Sequence, residues 1–108
     1  NLSTKRDYIG VDNICSVIEH FLNSRQHADL NIVNVGTGEG LSGDQVFDMV
    51  ATISKTNKKK VIDKERFRLS DRPVQIADNT KLIDQVGKIS FTNFEKSLTD
   101  YLNWRGLL

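Results

Sequence analysis

Gly38-Glu39-Gly40-Leu41-Ser42-Gly43 has the spacing G-x-G-x-x-G. Between a strand and a helix, such a run lets the backbone approach a pyrophosphate seated on the positive end of the helix. A carboxylate at the end of the next strand then holds a ribose hydroxyl, and Asp63 stands where that group belongs. The chemistry would be dinucleotide binding by a small module through Gly38, Gly40 and Gly43. Against it, Leu2 to Leu30 has no part in that arrangement. Only about 45 residues follow Asp63, too few to finish a doubly wound domain of six strands. Gly36, Gly38 and Gly40 serve equally as a tight strand-to-helix connection. His20 and His27, seven apart, have no Ser, Cys or carboxylate spaced to make a triad or metal site, so both are expected on helix surfaces. By themselves, Arg6 with Asp7 or Asp12, and Arg68 with Asp71, read as local ion pairs.

The elements that would position these groups alternate along the chain. Arg6 to Val11 reads as a strand, followed by a helix capped by Asp12 that buries Ile14, Val17, Ile18, Phe21 and Leu22. Cys15 on that helix reads as a small buried hydrophobe. Leu30 to Val35 alternates as a strand. Ser42 with Gln45 makes a capping box opening a helix that buries Val46, Phe47, Val50 and Ile53. Lys58-Lys59-Lys60 reads as a solvated loop or strand edge leading into a Val61-Ile62 strand. Val74 to Ala77 follows Pro73 as a further short strand. Asp78 or Asn79 caps a helix through Leu82 and Ile83, and Thr92 with Glu95 caps a last helix striped by Phe94, Leu98, Tyr101 and Leu102. Tyr101 and Trp104 are expected to anchor that helix to the core. The pattern is α/β, short strands alternating with helices in a single domain spanning 1–108.

Composition excludes several classes. The 108 residues are 38% hydrophobic and 27% charged, as in a globular domain. Fifteen basic against fourteen acidic residues give a net charge of +1, so neither nucleic acid nor a membrane surface is an expected partner. No apolar run approaches the roughly 18 residues of a membrane helix. A single cysteine fits a reducing compartment, and a soluble, cytoplasmic chain is the expectation. The sequence starts without Met, directly on a strand-like segment, as a piece of a longer protein would.

Several segments, in order, resemble the second half of extended short-chain dehydrogenase/reductases acting on nucleotide sugars. Arg6-Asp7-Tyr8-Ile9-Gly10-Val11-Asp12-Asn13 is similar to R-D-[YF]-[IV]-[HY]-V-x-D, and Asn34-Val35-Gly36-Thr37-Gly38 to N-[VI]-G-[TG]-G. Arg68-Leu69-Ser70-Asp71 followed by Ala77-Asp78-Asn79-Thr80-Lys81 resembles R-P-G-D and A-D-x-[ST]-K. Val86-Gly87 stands where L-G-W is usual, and Phe94 to Leu98 precedes Tyr101-Leu102-Asn103-Trp104. The sequence departs from the pattern at Gly10, Leu69, Ser70 and Lys88.

The resemblance implies the carboxy-terminal, substrate-binding portion of an NAD-dependent epimerase/dehydratase, an isomerase or lyase of polysaccharide biosynthesis, without its catalytic Rossmann half. It implies that Arg6 and Arg68 bind the diphosphate of a nucleotide-diphosphate sugar. Fixed charge and paired donors suit guanidinium groups to that role. It also implies that Asp71 orients the binding loop and that Asn34 and Gly36 lie beside the substrate. Tyr8 is followed four places on by Asp12 and Tyr101 by Arg105, so the Tyr-x-x-x-Lys of such enzymes is absent. NAD is therefore expected in the parent enzyme and not on this segment, which would be inactive alone. Its implied partners are the N-terminal Rossmann half and, since such enzymes commonly dimerise, a further copy.

Overall fold

A computed structural model of the chain describes residues 1–24, 31–68, 70–87 and 90–108. The readings that involve His27, Leu30, Leu69 and Lys88 fall outside the described residues.

The order of elements is β1 (Lys5–Arg6), α1 (Val11–Asn23), β2 (Leu41–Ser42), α2 (Gly43–Ile53), a 3-10 turn (Lys64–Arg66), β3 (Val74–Gln75), α3 (Thr80–Val86) and α4 (Phe94–Trp104). The α/β alternation is as expected. A three-stranded mixed sheet runs in the order β2-β1-β3. β1 pairs antiparallel with β2, Arg6 opposite Leu41, and parallel with β3, Arg6 opposite Gln75.

The strands are shorter than their alternation suggests. β1 ends at Arg6, and α1 starts at Val11 after Gly10, whose carbonyl accepts from the Asn13 amide at 3.1 Å. Asp12 does not cap this helix; it lies within the first turn, where a negative charge complements the helix dipole. Residues 31–35 form no strand. Side chains of the α3 region reach this segment instead: Lys81 Nζ donates to the Ile32 carbonyl at 2.7 Å, and Asn31 and Gln85 exchange amide hydrogen bonds at 2.8 and 3.3 Å. Val61-Ile62 is likewise not a strand, and Val61 is 87% exposed.

The capping box of α2 forms as expected: Gln45 N–H donates to Ser42 Oγ at 3.1 Å and Ser42 N–H to Gln45 Oε1 at 2.8 Å. Its Val46, Phe47, Val50 and Ile53 are half-buried. Lys60 returns onto this helix, pairing with Asp48 at 2.8 Å and Asp44 at 3.0 Å beside the Phe47 ring, 5.1 Å from its centroid. Hydrogen bonding to Asp48, then to Asp44, pushes the Lys60 ammonium pKa up. Lys60, the last of the three lysines, thus ties its loop to α2.

For α4 the cap is Asn93, one residue later than the Thr92 capping box. The backbone of Thr92 is already engaged: its N–H donates to Asn13 Oδ1 and its carbonyl accepts from Asn13 Nδ2, both at 2.9 Å. Asn13, 5% exposed, thereby pins the start of α1 to the entrance of α4.

Among the described residues, the buried apolar side chains are Val17, Leu82 and Leu102, one each from α1, α3 and α4. Tyr101 and Trp104 do not anchor α4; they pack on each other with centroids 6.0 Å apart, and Trp104 is 77% exposed. Helix α1 has a wide apolar arc of which one margin is covered. Val17 is buried and Ile14 and Phe21 half-buried, while Val11, Cys15, Ile18 and Leu22, spaced to form the adjacent stripe, are exposed. Cys15 therefore lies on the open stripe, and Ile18 and Leu22 are not core residues.

The molecule measures 50 × 35 × 19 Å, with a radius of gyration of 16.8 Å. A compact chain of this length has one of about 13 Å. The chain is a slab with much of its apolar surface outward.

Candidate functional site

The centre of the sheet carries the site. Lys5 N–H donates to the Pro73 carbonyl at 2.8 Å and Asp7 N–H to that of Gln75 at 3.1 Å, fixing β1 beside β3 and leaving the Arg6 and Asp7 side chains at the carboxyl end of β1. Arg6, Asp7, Asn34, Ala77 and Asp78 line an open pocket of about 550 Å³.

The Arg6 guanidinium donates from Nη1 to the carbonyls of Lys5 and Arg72, at 2.8 and 2.9 Å, and from Nη2 to Asp71 in a close ion pair. Its carboxylate partner is Asp71, some 65 residues on, not Asp7 or Asp12. Arg68 is exposed and is not among the pocket walls. It joins the site indirectly, since its carbonyl accepts the Asp71 amide at 3.1 Å in the turn that delivers Asp71 to Arg6. Of the five residues expected at the site, Arg6 and Asn34 share the pocket, Gly36 is buried next to it, Asp71 meets Arg6, and Arg68 remains apart on the surface.

Asn34 is architectural, because its Nδ2 donates to the Asp78 carbonyl at 3.3 Å, while Asn79 Nδ2 donates back to the Gly36 carbonyl at 3.2 Å. The 34–38 and 77–79 turns are thus laced together. Asp7 completes the lacing. Its Oδ1 accepts from Thr37 N–H at 3.0 Å and Thr37 Oγ1 at 2.6 Å, and its Oδ2 from the N–H groups of Gly38 at 3.0 Å and Ala77 at 3.3 Å. The sequence presents Asp7 only as a neighbour of Arg6 and conceals this role. Its local signal is weak, because the partners lie 30 to 70 residues away.

Burial would raise the Asp7 pKa, but the Thr37 hydroxyl and the three amides outweigh it and hold the carboxyl below the ordinary carboxylate range. The sign follows from linkage. A depressed native pKa adds stability that is fully present above the unfolded value near 3.9 and is lost as pH falls through the native one. Acid unfolding monitored by circular dichroism should show stability declining below about pH 4, with a shallower decline in Asp7→Asn. Equal slopes would remove Asp7 from the account. Asp78 is also held below its usual range, by the Thr80 hydroxyl and then the Thr80 amide.

The glycine run does not form a dinucleotide loop. Its central Leu41-Ser42 is itself strand β2, antiparallel to β1. At the start of α2, the Gln45 amide is taken by Ser42 Oγ, and the Asp44 amide donates to the Leu2 carbonyl at 3.0 Å. Two of the helix-start amides that could receive a pyrophosphate are therefore occupied. Asp63 does not end a strand; it accepts from Glu65 N–H at 3.0 Å and pairs with Arg66 at 3.2 Å. Asp63 is thus not presented at a strand end as a ribose-binding carboxylate would be.

No protein-family model matches the chain. It is 31% identical over 88 residues to GDP-6-deoxy-D-talose 4-dehydrogenase of Aggregatibacter actinomycetemcomitans, a match covering 81% of this chain and 29% of that protein. Among solved structures, it superposes on the UDP-glucose 4-epimerase of Thermotoga maritima, solved with UDP-glucose, with a TM-score of 0.80 at 23% identity over 97% of this chain and 33% of that one. It superposes also on WbmG of Bordetella bronchiseptica, solved with NAD and UDP, with a TM-score of 0.77 at 24% identity over 96% and 32%. The fold is that of the carboxy-terminal portion of extended short-chain dehydrogenase/reductase epimerases. The chain is thus similar in sequence to that dehydrogenase and in fold to those two enzymes. It spans about a third of the length of the relatives it matches.

Proposed function

We propose that this chain is the portion of an NAD-dependent nucleotide-sugar epimerase, dehydratase or related enzyme that grips the nucleotide diphosphate and aligns the sugar. The observation that supports it most is the presentation of Arg6 on the middle strand, at an open pocket shared with Asn34. A diphosphate there meets a guanidinium already oriented by two carbonyls, and competes with Asp71 for its outer nitrogen. The carboxylate of Asp7 opposes this little, because its charge is answered by four donors. In this reading Arg68, exposed in the turn that carries Asp71, would close on the phosphates, and Gly36, buried beside the pocket, would let the two turns approach.

Catalysis and NAD belong in this reading to a separate Rossmann portion, as the sequence has no Tyr-x-x-x-Lys and its glycine run includes strand β2. The open stripe of α1, with Trp104 and Leu107, supplies apolar surface for that portion or for a second copy. Hydride transfer to and from NAD would be its contribution; the residues here would bind and orient.

Thermal unfolding with UDP-, GDP-, CDP- and dTDP-sugars, and with NAD, tests the reading. A ligand at a hundred times its dissociation constant adds about 2.7 kcal/mol. A rise with one sugar nucleotide that is lost in Arg68→Ala is expected, and Arg68 is exposed enough for its removal to leave the unliganded protein unchanged. A rise with NAD alone overturns the proposal.

A further inference from the structure

The carboxylate of Asp7 joins three separate pieces of backbone: β1, the turn at Thr37-Gly38 and the turn at Ala77. Each oxygen has its own pair of donors. Thr37 N–H and Oγ1 point at Oδ1, while the Gly38 and Ala77 amides point at Oδ2. The packing between the turns is tight, for a methyl group built on Gly36 would lie 2.7 Å from Asp7 Oδ2 and nearer still to Ala77 Cβ. Asn34 and Ala77, on the two turns, are walls of the Arg6 pocket, and Asp7 directly follows Arg6 in the chain. One side chain therefore sets both the gap between the walls and their register on the arginine.

We infer that Asp7 is the positioning residue of this pocket, holding the 34–38 and 77–79 turns at the separation that a nucleotide diphosphate requires. The inference rests on the nucleotide reading of the pocket for its ligand, but its structural part stands on the hydrogen bonds alone. Asp7→Asn is the informative change. It keeps the shape and replaces one oxygen by a donor, so that in either orientation of the amide two donors are left facing a third. The Thr37 hydroxyl can turn toward the Glu39 carbonyl, 3.3 Å away, but the backbone amides have no such alternative.

Two readouts separate the parts. Amide hydrogen exchange by NMR at Thr37, Gly38 and Ala77 should speed up by roughly tenfold or more in Asp7→Asn, with Val50 in α2 unchanged. Titration with UDP and GDP should show the nucleotide bound by the parent weakened by roughly tenfold, the scale of one lost charge-assisted hydrogen bond. Unchanged exchange at all three amides overturns the inference, and so does faster exchange with undiminished nucleotide affinity. A parent that binds neither nucleotide refutes the nucleotide reading and, with it, the ligand part of the inference, while the exchange data still decide whether Asp7 sets the turns. If Asp7→Asn does not fold, Thr37→Val keeps the carboxylate and removes the hydroxyl that donates to it, along with the acceptor of the Glu39 amide at 3.1 Å. Faster exchange at Thr37 and Gly38, with weaker nucleotide binding, is then expected, and parental values for both overturn the inference.

Discussion

Leu82→Ala should lower the free energy of unfolding by about 2–4 kcal/mol, a large share of the roughly 5–15 kcal/mol that holds a domain folded. Leu82 is 1% exposed, and the described core contains two other buried apolar side chains, Val17 and Leu102. A core this thin has little means of collapsing around a lost isobutyl group, which puts the cost toward the upper part of the range. The seven-residue α3 is too short to persist by itself, and Leu82 is its buried residue. Its loosening would also release Lys81 and Gln85 from the 31–32 segment. Urea unfolding followed by circular dichroism measures the effect. Ile83→Ala, on the same turn but 44% exposed, should cost less than about 1 kcal/mol. Equal losses at the two positions would show that Leu82 is not the residue around which these helices close.

Gly36→Ala should be the second most damaging change, at about 1–3 kcal/mol for overpacking, more if the turns separate. The added methyl has two neighbours on opposite elements, Asp7 Oδ2 at 2.7 Å and the Ala77 methyl still nearer, and moving either one disturbs hydrogen bonds that tie the pocket walls. Gly38 is the useful contrast. Its φ of +77° makes Gly38→Ala a backbone penalty of about 1–2 kcal/mol, with the nearest atom, Asn79 Nδ2, at 3.1 Å. Adding Ala77→Gly should return part of the stability lost in Gly36→Ala and none lost in Gly38→Ala, a coupling that a double-mutant cycle measures directly. Independent, additive effects would contradict the close approach of the two turns.

Local rules are legible in the sequence and distant pairings are not. The Ser42–Gln45 capping box involves four consecutive residues, and it forms as its letters indicate. The helices follow from apolar periodicity, although periodicity does not tell the covered margin of α1 from the open one. That distinction depends on what packs against the helix, which is why Cys15, Ile18 and Leu22 read as buried and are exposed. Strands are the least legible because each ladder here is two residues long and is defined by a partner far along the chain. The alternation at 31–35 is real, but the Ile32 carbonyl is claimed by a side chain from the α3 region, and alternation carries no information about such competitors. At the site, the resemblance identifies the Arg6 segment and the 34–38 turn. It does not reveal that Asp71 reaches Arg6 or that Asp7 binds both turns, since those contacts exist only after the sheet has closed.

The placement of Arg6 on β1 has a kinetic corollary. Lys5 pairs with Ser42 on one side and Val74 on the other, so the strand bearing the arginine gains its neighbours only when the ends of long chain segments meet. Loop closure of that kind is slow relative to helix formation. The ligand pocket should consequently be the last feature to mature during refolding, appearing after helical ellipticity has recovered. Substitutions that delay sheet closure would then reduce the fraction of molecules able to bind at early times while leaving the affinity of the finished protein intact.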